Sequence, residues 1–282
     1  MRRRLALTVA LVTAGLAGPL HAMDDEDVPF ITTPDRVTVA MLELAGVGPT
    51  DRVLDLGSGD GRIVITAARR FGARGLGVEI VPDLVARSRE HAQRAGVAGR
   101  TEFRVQDLFD TDLSGASVIT MYLLPEVNLK LRPRLLALAP GTRIVSHDWD
   151  LGDWQPDRTL TLEVPEKAIG REKLSRLHRW TVPARLAGLW CGAQGTALRV
   201  VQQFQQVSAT LAQGGEQQGF SGRVDGVRLQ LLGAGAAAWA ATAGADHLHI
   251  DAASAGLPLQ VGQRLRPAVD GRCPAATADA AG

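Results

Sequence analysis

The stretch VLDLGSGDGR, residues 53–62, holds one carboxylate and then glycines at alternate positions: Asp55, followed by Gly57, Gly59 and Gly61. An apolar run that ends in an acid and enters such glycines reads as a strand turning sharply into a helix. Gly57 and Gly59, with Ser58 between them, let the turn fold back with no Cβ in the way. A helix starting at Arg62 then aims its N-terminus at whatever is bound, and Asp60 reads as a cap for that helix. The dinucleotide fingerprint would need a glycine where Arg62 stands, and a P-loop would need a Gly-Lys-Ser/Thr that does not follow. The loop is therefore not specified for pyrophosphate. Glu79 closes the next apolar run, GLGVEI, where a carboxylate can accept hydrogen bonds from both hydroxyls of a ribose. Asp107, followed by Leu108, comes just after the third run, in VQDLF, where the carboxylate or its neighbouring backbone can accept an adenine amine. The three acids together describe a site for an adenosine without phosphates, with Asp55 beside a cationic or amino group.

These acids need a sheet whose strand ends share one edge. Residues 28–183 alternate strand-like runs with amphipathic helical runs, the pattern of an α/β domain with a mostly parallel sheet. Helices are expected from Pro34 to Ala45, Arg62 to Phe71, Pro82 to Ala95 and Glu126 to Leu138. Strands are expected over Arg52–Leu56, Gly75–Ile80, Glu102–Val105, Val118–Tyr122 and Arg143–Ser146. Thr159–Val164 and Leu177–Val182 lack a long helix between them and read as an antiparallel pair at the end of the sheet. From about Ala184 the helical runs stop. Alternating segments with glycine turns mark an all-β unit over 184–267, a small barrel or sandwich with no strict internal repeat. An alanine-rich tail, 268–282, is expected to be loosely ordered.

With 31 Lys and Arg against 30 Asp and Glu, the net charge is +1. Such a balance gives no reason to expect nucleic acid or an acidic surface as partner. About 45% of the residues are hydrophobic, enough for a sizeable core. Residues 1–22 read as an export signal: Arg2, Arg3 and Arg4, then an uncharged apolar stretch interrupted by Gly18 and Pro19. That places the chain in the periplasm or outside the cell, or, if the segment stays uncleaved, anchors it to a membrane. Two cysteines, Cys191 and Cys273, can pair in an exported chain or stand as free small hydrophobes. Two cysteines alone make no zinc site.

The loop DLGSGDGR, Glu79 and the QD pair resemble the class I, seven-strand methyltransferases that use S-adenosyl-L-methionine. Longer motifs, VPFITTP, LDLGSGDGRIVI, TMYLLPEVNLKLRPRLL and GTRIVSHDWDLGDWQPD, are similar to one group among them. This group holds the archaeal broad-specificity protein-lysine methyltransferases and the mitochondrial lysine methyltransferase of the ATP-synthase c-subunit. The resemblance covers residues 28 to about 182 and implies a Rossmann-like seven-strand sheet. It implies that Asp55, Gly57, Ser58, Gly59, Glu79, Asp107 and Leu108 hold the cofactor and that Thr33 and Pro34 cover it. It also implies that Tyr122, Leu123 and Leu124 form the floor beside the transferred methyl.

A lysine acceptor must lose a proton, so a carboxylate, a carbonyl or an aromatic face should stand beside it. Tyr122, which is the sole tyrosine, and Asp148 are the catalytic candidates, and His147, Trp149 and Trp154 are expected to rim the pocket with them. Asn128 either contacts substrate or faces solvent. The leading expectation is N-methylation of lysine in an unidentified protein substrate, with no nucleic acid. An exported chain would lie where the cofactor is not plentiful, which raises an alternative: a non-catalytic binding protein that keeps the fold. A small-molecule methyltransferase with the β unit as lid is a further alternative.

Overall fold

The computed structural model describes residues 31–167 and 172–273. The expected signal over residues 1–22 lies outside them, as do residues 274–282 of the tail. Among the described residues, no helix is long and apolar enough to cross a membrane.

The N-terminal half alternates helices and strands: α1 (Asp35–Leu44), β1 (Arg52–Leu56), α2 (Arg62–Phe71), β2 (Arg74–Glu79), α3 (Pro82–Arg94) and β3 (Thr101–Val105). It continues with β4 (Val118–Met121), α4 (Pro125–Leu135), β5 (Arg143–His147), β6 (Arg158–Glu163) and β7 (Leu174–Thr181). These strands form a seven-stranded sheet in the order β3-β2-β1-β4-β5-β7-β6. The first five run parallel, and β7 pairs antiparallel with both β5 and β6. Helices cover both faces of a parallel sheet, so central strands become continuous apolar runs; Val53, Leu54 and Leu56 of β1 are all buried. The chain steps outward from β1 to β2 and β3, then returns to the other side of β1 as β4. That reversal leaves a crevice at the strand ends between β1 and β4, the place where open α/β sheets bind ligands.

Helix α4 ends before the expected Leu138. Pro133 sits in its last turn and has no N–H to donate. Beyond it the chain tightens into three-residue bonds, Ala137 N–H to Arg134 O and Leu138 N–H to Leu135 O.

The C-terminal half is a closed eight-stranded antiparallel barrel, β8 (Gly188–Cys191), β9 (Ala197–Gln203), β10 (Gln206–Gln213), β11 (Glu216–Asp225), β12 (Arg228–Gly233), β13 (Ala238–Ala243), β14 (Leu248–Ala253) and β15 (Arg264–Pro267). Its interior is filled by its own side chains, among them Trp190, Leu198, Phe220, Leu231, Trp239 and Ile250. The sequence has no strict repeat, yet the barrel holds a repeat of backbone shape. Gly192 (φ −113°, ψ −173°) opens the turn between β8 and β9, and Gly233 (φ −116°, ψ −174°) opens the matching turn between β12 and β13. Gln194 and Gly235 then take the same left-handed conformation. At one constant offset the buried residues Leu198, Val200, Val207 and Ala209 correspond to Trp239, Ala241, Leu248 and Ile250. Side-chain identities have diverged, while the inward alternation and the special turn have not.

Cys191 and Cys273 form a disulfide across the point where β8 meets β15. Val269 and Arg272 make a bridge just before it, so residues 268–273 of the tail are held against the barrel. The bond links residues 82 apart, and on the loop-entropy model a loop of that size stabilises by about 4 kcal/mol. Reduction is expected to lower the urea midpoint of the barrel transition by a corresponding amount. Equal midpoints with and without reductant would contradict this.

The barrel is fixed to the sheet domain through the loop between β5 and β6. Trp154 is fully buried, stacks on Phe204 with ring centroids 6.1 Å apart, and donates its Nε1–H to Gln205 Oε1 at 3.0 Å. Gln205 donates in turn to Gln155 O at 2.7 Å. Trp154 is therefore not at the rim of the pocket, as expected from sequence, but in the junction with the barrel. A tryptophan that stacks on one face and satisfies its N–H inside suits a buried contact.

Candidate active site

The glycine loop follows β1 directly. Gly57 and Ser58 both donate backbone N–H groups to Val78 O, at 3.0 and 2.9 Å, which pins the loop onto β2. Gly57 has φ +73°, a torsion that favours glycine; a Cβ there would lie 2.9 Å from Leu123 Cδ2, which would have to move aside. Asp55 is buried beside this loop and accepts one hydrogen bond, from Thr120 Oγ1 at 2.7 Å. Thr120 is its register partner on β4. Burial pushes the Asp55 carboxyl up to about 7, with Glu79 and Asp60 adding repulsion and the Thr120 hydroxyl opposing it. Among the described residues this buried acid is held by a single hydroxyl and has no positive partner.

Glu79 lies at the neighbouring strand end. Its Oε2 accepts from Gly59 N–H at 3.0 Å and its Oε1 from Ile80 and Val81 N–H. Each carboxylate oxygen has two lone-pair sites, so Oε1 is filled and one site remains on Oε2 for a ribose hydroxyl. Asp107, exposed, stands two residues past β3 and caps the short turn Leu108–Asp110 through Phe109 N–H at 2.7 Å. Asp60 accepts the Arg62 N–H at 3.3 Å, but its stronger bonds are to the guanidinium of Arg62, at 2.9 and 2.6 Å. The same guanidinium donates to Thr33 O at 2.7 Å. Thr33 is itself buried, and that bond ties the segment before α1 across the glycine loop, while Pro34 lines the cleft.

That cleft, of about 160 Å³, is lined by Ile31, Thr32, Pro34, Tyr122, His147, Glu166 and Lys167. Tyr122 is partly buried and stacks on His147 with centroids 4.0 Å apart. Burial, then the neighbouring Asp148 charge, pushes its phenol up to about 12. His147 is buried, with Nε2 bonded to Ser175 Oγ at 2.9 Å, and burial pulls its imidazole down to about 4. It is therefore neutral near pH 7. Asp148 has φ +64°, a left-handed conformation that Asp and Asn tolerate best. Its Oδ2 accepts from Lys167 Nζ at 2.6 Å and from Tyr122 Oη at 3.5 Å; its Oδ1 accepts from Arg176 N–H at 3.0 Å. Burial raises its carboxyl, but the bonds from Lys167 and Arg176 outweigh this and hold it below the usual carboxylate range.

The loop carrying Asp148 is held from two sides. Asn128 is fully buried and donates to Trp149 O and Asp150 O at 3.2 and 3.3 Å, so it neither contacts substrate nor faces solvent. Arg132 donates to Leu151 O at 2.9 Å. Trp149 itself is exposed. Sequence reasoning missed Thr120, Arg62 and Lys167. The strand register could have found Thr120, since a residue opposite a buried acid needs a donor. No local pattern marks Lys167, which lies in the connection between β6 and β7.

The site can therefore hold an uncharged nucleoside along the ends of β1, β2 and β3 and an amine at Asp148. Residues 55–158 match the model of the ANTKMT methyltransferase domain family. A protein-lysine N-methyltransferase of Saccharolobus islandicus is 42% identical over 138 residues, spanning 48% of this chain and 86% of the relative. The chain belongs to the protein-lysine N-methyltransferase family. The mouse adenine nucleotide translocase lysine N-methyltransferase is 37% identical over 131 residues, spanning 46% of this chain but just over half, 56%, of that protein. The crystal structure of an RNA methyltransferase from Salinibacter ruber in complex with S-adenosyl-L-homocysteine superposes with a TM-score of 0.51 at 54% identity. It covers 55% of this chain and 96% of that one. The two relatives and the crystal structure each match about half of this chain.

The residues present fit S-adenosyl-L-methionine. Among the described residues the buried Asp55 has no cationic partner, and the cofactor carries an ammonium group.

Proposed function

We propose that this methyltransferase N-methylates lysine side chains of a protein substrate at the cleft between Tyr122 and Asp148. The observation that carries this reading is an amine already in that place: Lys167 Nζ on Asp148 Oδ2, beside the Tyr122 hydroxyl. The cleft thus accepts an alkylammonium.

S-adenosyl-L-methionine, when bound, supplies a methyl group on a sulfonium that needs no activation by the protein. Asp55 would hold its amino group, Glu79 a ribose hydroxyl, and the Asp107–Leu108 turn its adenine. Gly57, Ser58 and Gly59 provide the backbone against it. Thr33 and Pro34 belong to the segment that shields it from water. The protein's remaining task is to align an amine and remove its proton. Tyr122 presents a fixed oxygen at the acceptor end. Asp148, ionised across the neutral range, accepts the proton directly or through water. Neutral His147 backs the Tyr122 ring and keeps positive charge away from the approaching ammonium.

Calorimetry with S-adenosyl-L-homocysteine tests the cofactor half. Glu79→Ala is expected to weaken binding about 10- to 100-fold, the worth of one or two hydrogen bonds to a charged acceptor. Equal affinity for the variant would remove Glu79 from the site. Methyl incorporation from labelled donor into extracted protein, and not into RNA, tests the acceptor half.

The similarity to the Salinibacter ruber RNA methyltransferase motivates RNA as a second reading. Against it for this chain stands the balanced charge, 31 Lys and Arg against 30 Asp and Glu, which offers no excess of cations to a phosphate backbone. Residues 1–22 we propose to be an export signal or anchor. The Cys191–Cys273 bond supports an oxidising location, and fractionation of a tagged full chain tests it.

A further inference from the structure

We infer that Lys167 is itself a methyl acceptor, a self-modification site that occupies the seat of the substrate lysine. The inference rests on the proposed lysine-methylating activity. Lys167 lies in the connection between β6 and β7 and lines the same cleft as Pro34 and Tyr122. Its side chain is 12% exposed, a depth a lysine reaches when it is paired, here with Asp148, itself 17% exposed. Its Nζ makes two short bonds, to Asp148 Oδ2 at 2.6 Å and to Leu174 O at 2.5 Å. Tyr122 Oη reaches the same Asp148 oxygen at 3.5 Å. An amine of the substrate's own chemistry is thus tethered beside the group that would take its proton. Tethering gives it a high effective concentration, so it reacts unless a substrate lysine displaces it.

The step balances without a further reagent. The Nζ ammonium gives one proton to Asp148 and on to solvent. The freed lone pair forms the nitrogen–carbon bond to the methyl, while the carbon–sulfur bond breaks and sulfur keeps its electron pair. The products are N-methyl-Lys167, S-adenosyl-L-homocysteine and a proton. Each methyl removes one N–H donor, so full methylation ends the bonds to Asp148 and Leu174 O. The fixed charge stays, but without N–H donors it would hold Asp148 by charge alone.

The test uses the full chain with S-adenosyl-L-methionine and no added substrate. Intact mass and peptide mapping should place methyl groups on Lys167, approaching one or more per chain. The rate per chain should stay constant when the protein is diluted about 100-fold, as an intramolecular step requires. Lys167→Arg keeps a cation for Asp148 and Leu174 O and should abolish the mark. In the cofactor-free protein, Lys167 should react with an amine-acylating reagent at least about tenfold more slowly than exposed lysines such as Lys173, its two bonds holding the amine. If the chain binds S-adenosyl-L-homocysteine and methylates added protein but Lys167 stays unmodified, the inference fails and the activity stands. Marking that slows on dilution overturns it as well. Absence of both cofactor binding and methyl incorporation into added protein would instead overturn the activity itself.

Discussion

Asp148→Asn is expected to lower methyl transfer to a protein lysine about 10²- to 10³-fold, with affinity for S-adenosyl-L-homocysteine nearly unchanged. The variant is chosen for the backbone. Asp148 sits at φ +64°, which asparagine adopts as readily as aspartate and most residues do not. Asparagine can still accept the Arg176 N–H, so the loop should keep its shape. What disappears is the negative charge beside the acceptor. A lysine in water titrates near 10.4, so its proton must go to a base, and Asp148 is the carboxylate at this end of the cleft that also touches Tyr122. Neutral His147 is no substitute: its Nδ1 is buried with no partner among the described residues, and its Nε2 is committed to Ser175. The loss should fall on kcat and shrink at high pH, where more acceptor amine is free in solution. A variant with unaltered kcat would show that the proton leaves by another route.

The second large effect concerns Asp55, whose replacement by asparagine should stabilise the cofactor-free protein while weakening cofactor binding. Its folded-state carboxyl lies near 7, against about 3.9 in an unfolded chain. The folded protein therefore holds a proton that the unfolded chain has released between those values. Its contribution to stability is fullest below pH 4 and declines as pH rises through 7. An asparagine in its place carries no such charge and can still accept the Thr120 hydroxyl. At pH 8 the Asp55→Asn variant should be more stable by about 2–4 kcal/mol, and the gap should close as pH falls toward 4. Binding should move the opposite way. Losing a charged bond to the ligand's ammonium costs about 1.5–3 kcal/mol, or roughly 10- to 100-fold in affinity. In the native protein, affinity for S-adenosyl-L-homocysteine should rise with pH up to about 7 as Asp55 gives up its proton, then level off; in the variant it should stay flat. A variant less stable than the native protein at pH 8 would show that Asp55 already has its counter-charge.

The acids of the nucleoside edge are legible in the sequence because each closes a strand, and strands announce themselves by apolar runs bounded by glycine. The expected Arg52–Leu56 strand and Arg62–Phe71 helix match the observed elements to the residue. The antiparallel pair beside β5 follows from the missing helix. Less is visible where long-range packing decides. Trp154 follows a strand end, as a pocket residue would, yet stacking on Phe204 from the barrel takes it inside. Asn128 has the look of a surface polar residue on α4, but its amide satisfies carbonyls of a loop that local sequence could not place. Lys167 comes to the cleft through the β6–β7 connection alone. The repeat in the barrel is hidden in the sequence because its halves share backbone shape and inward positions rather than side chains.

The contact between Gln205 and Trp154 has a consequence for how this protein would age under heat. Gln205 belongs to a hairpin of the barrel, and Trp154 lies in the loop that begins at Asp148. A barrel that loosens lets go of that loop, even while the sheet and its nucleoside edge stay whole. Inactivation would then run ahead of the loss of cofactor affinity, and the C-terminal half would set the working life of a reaction carried out entirely in the N-terminal one.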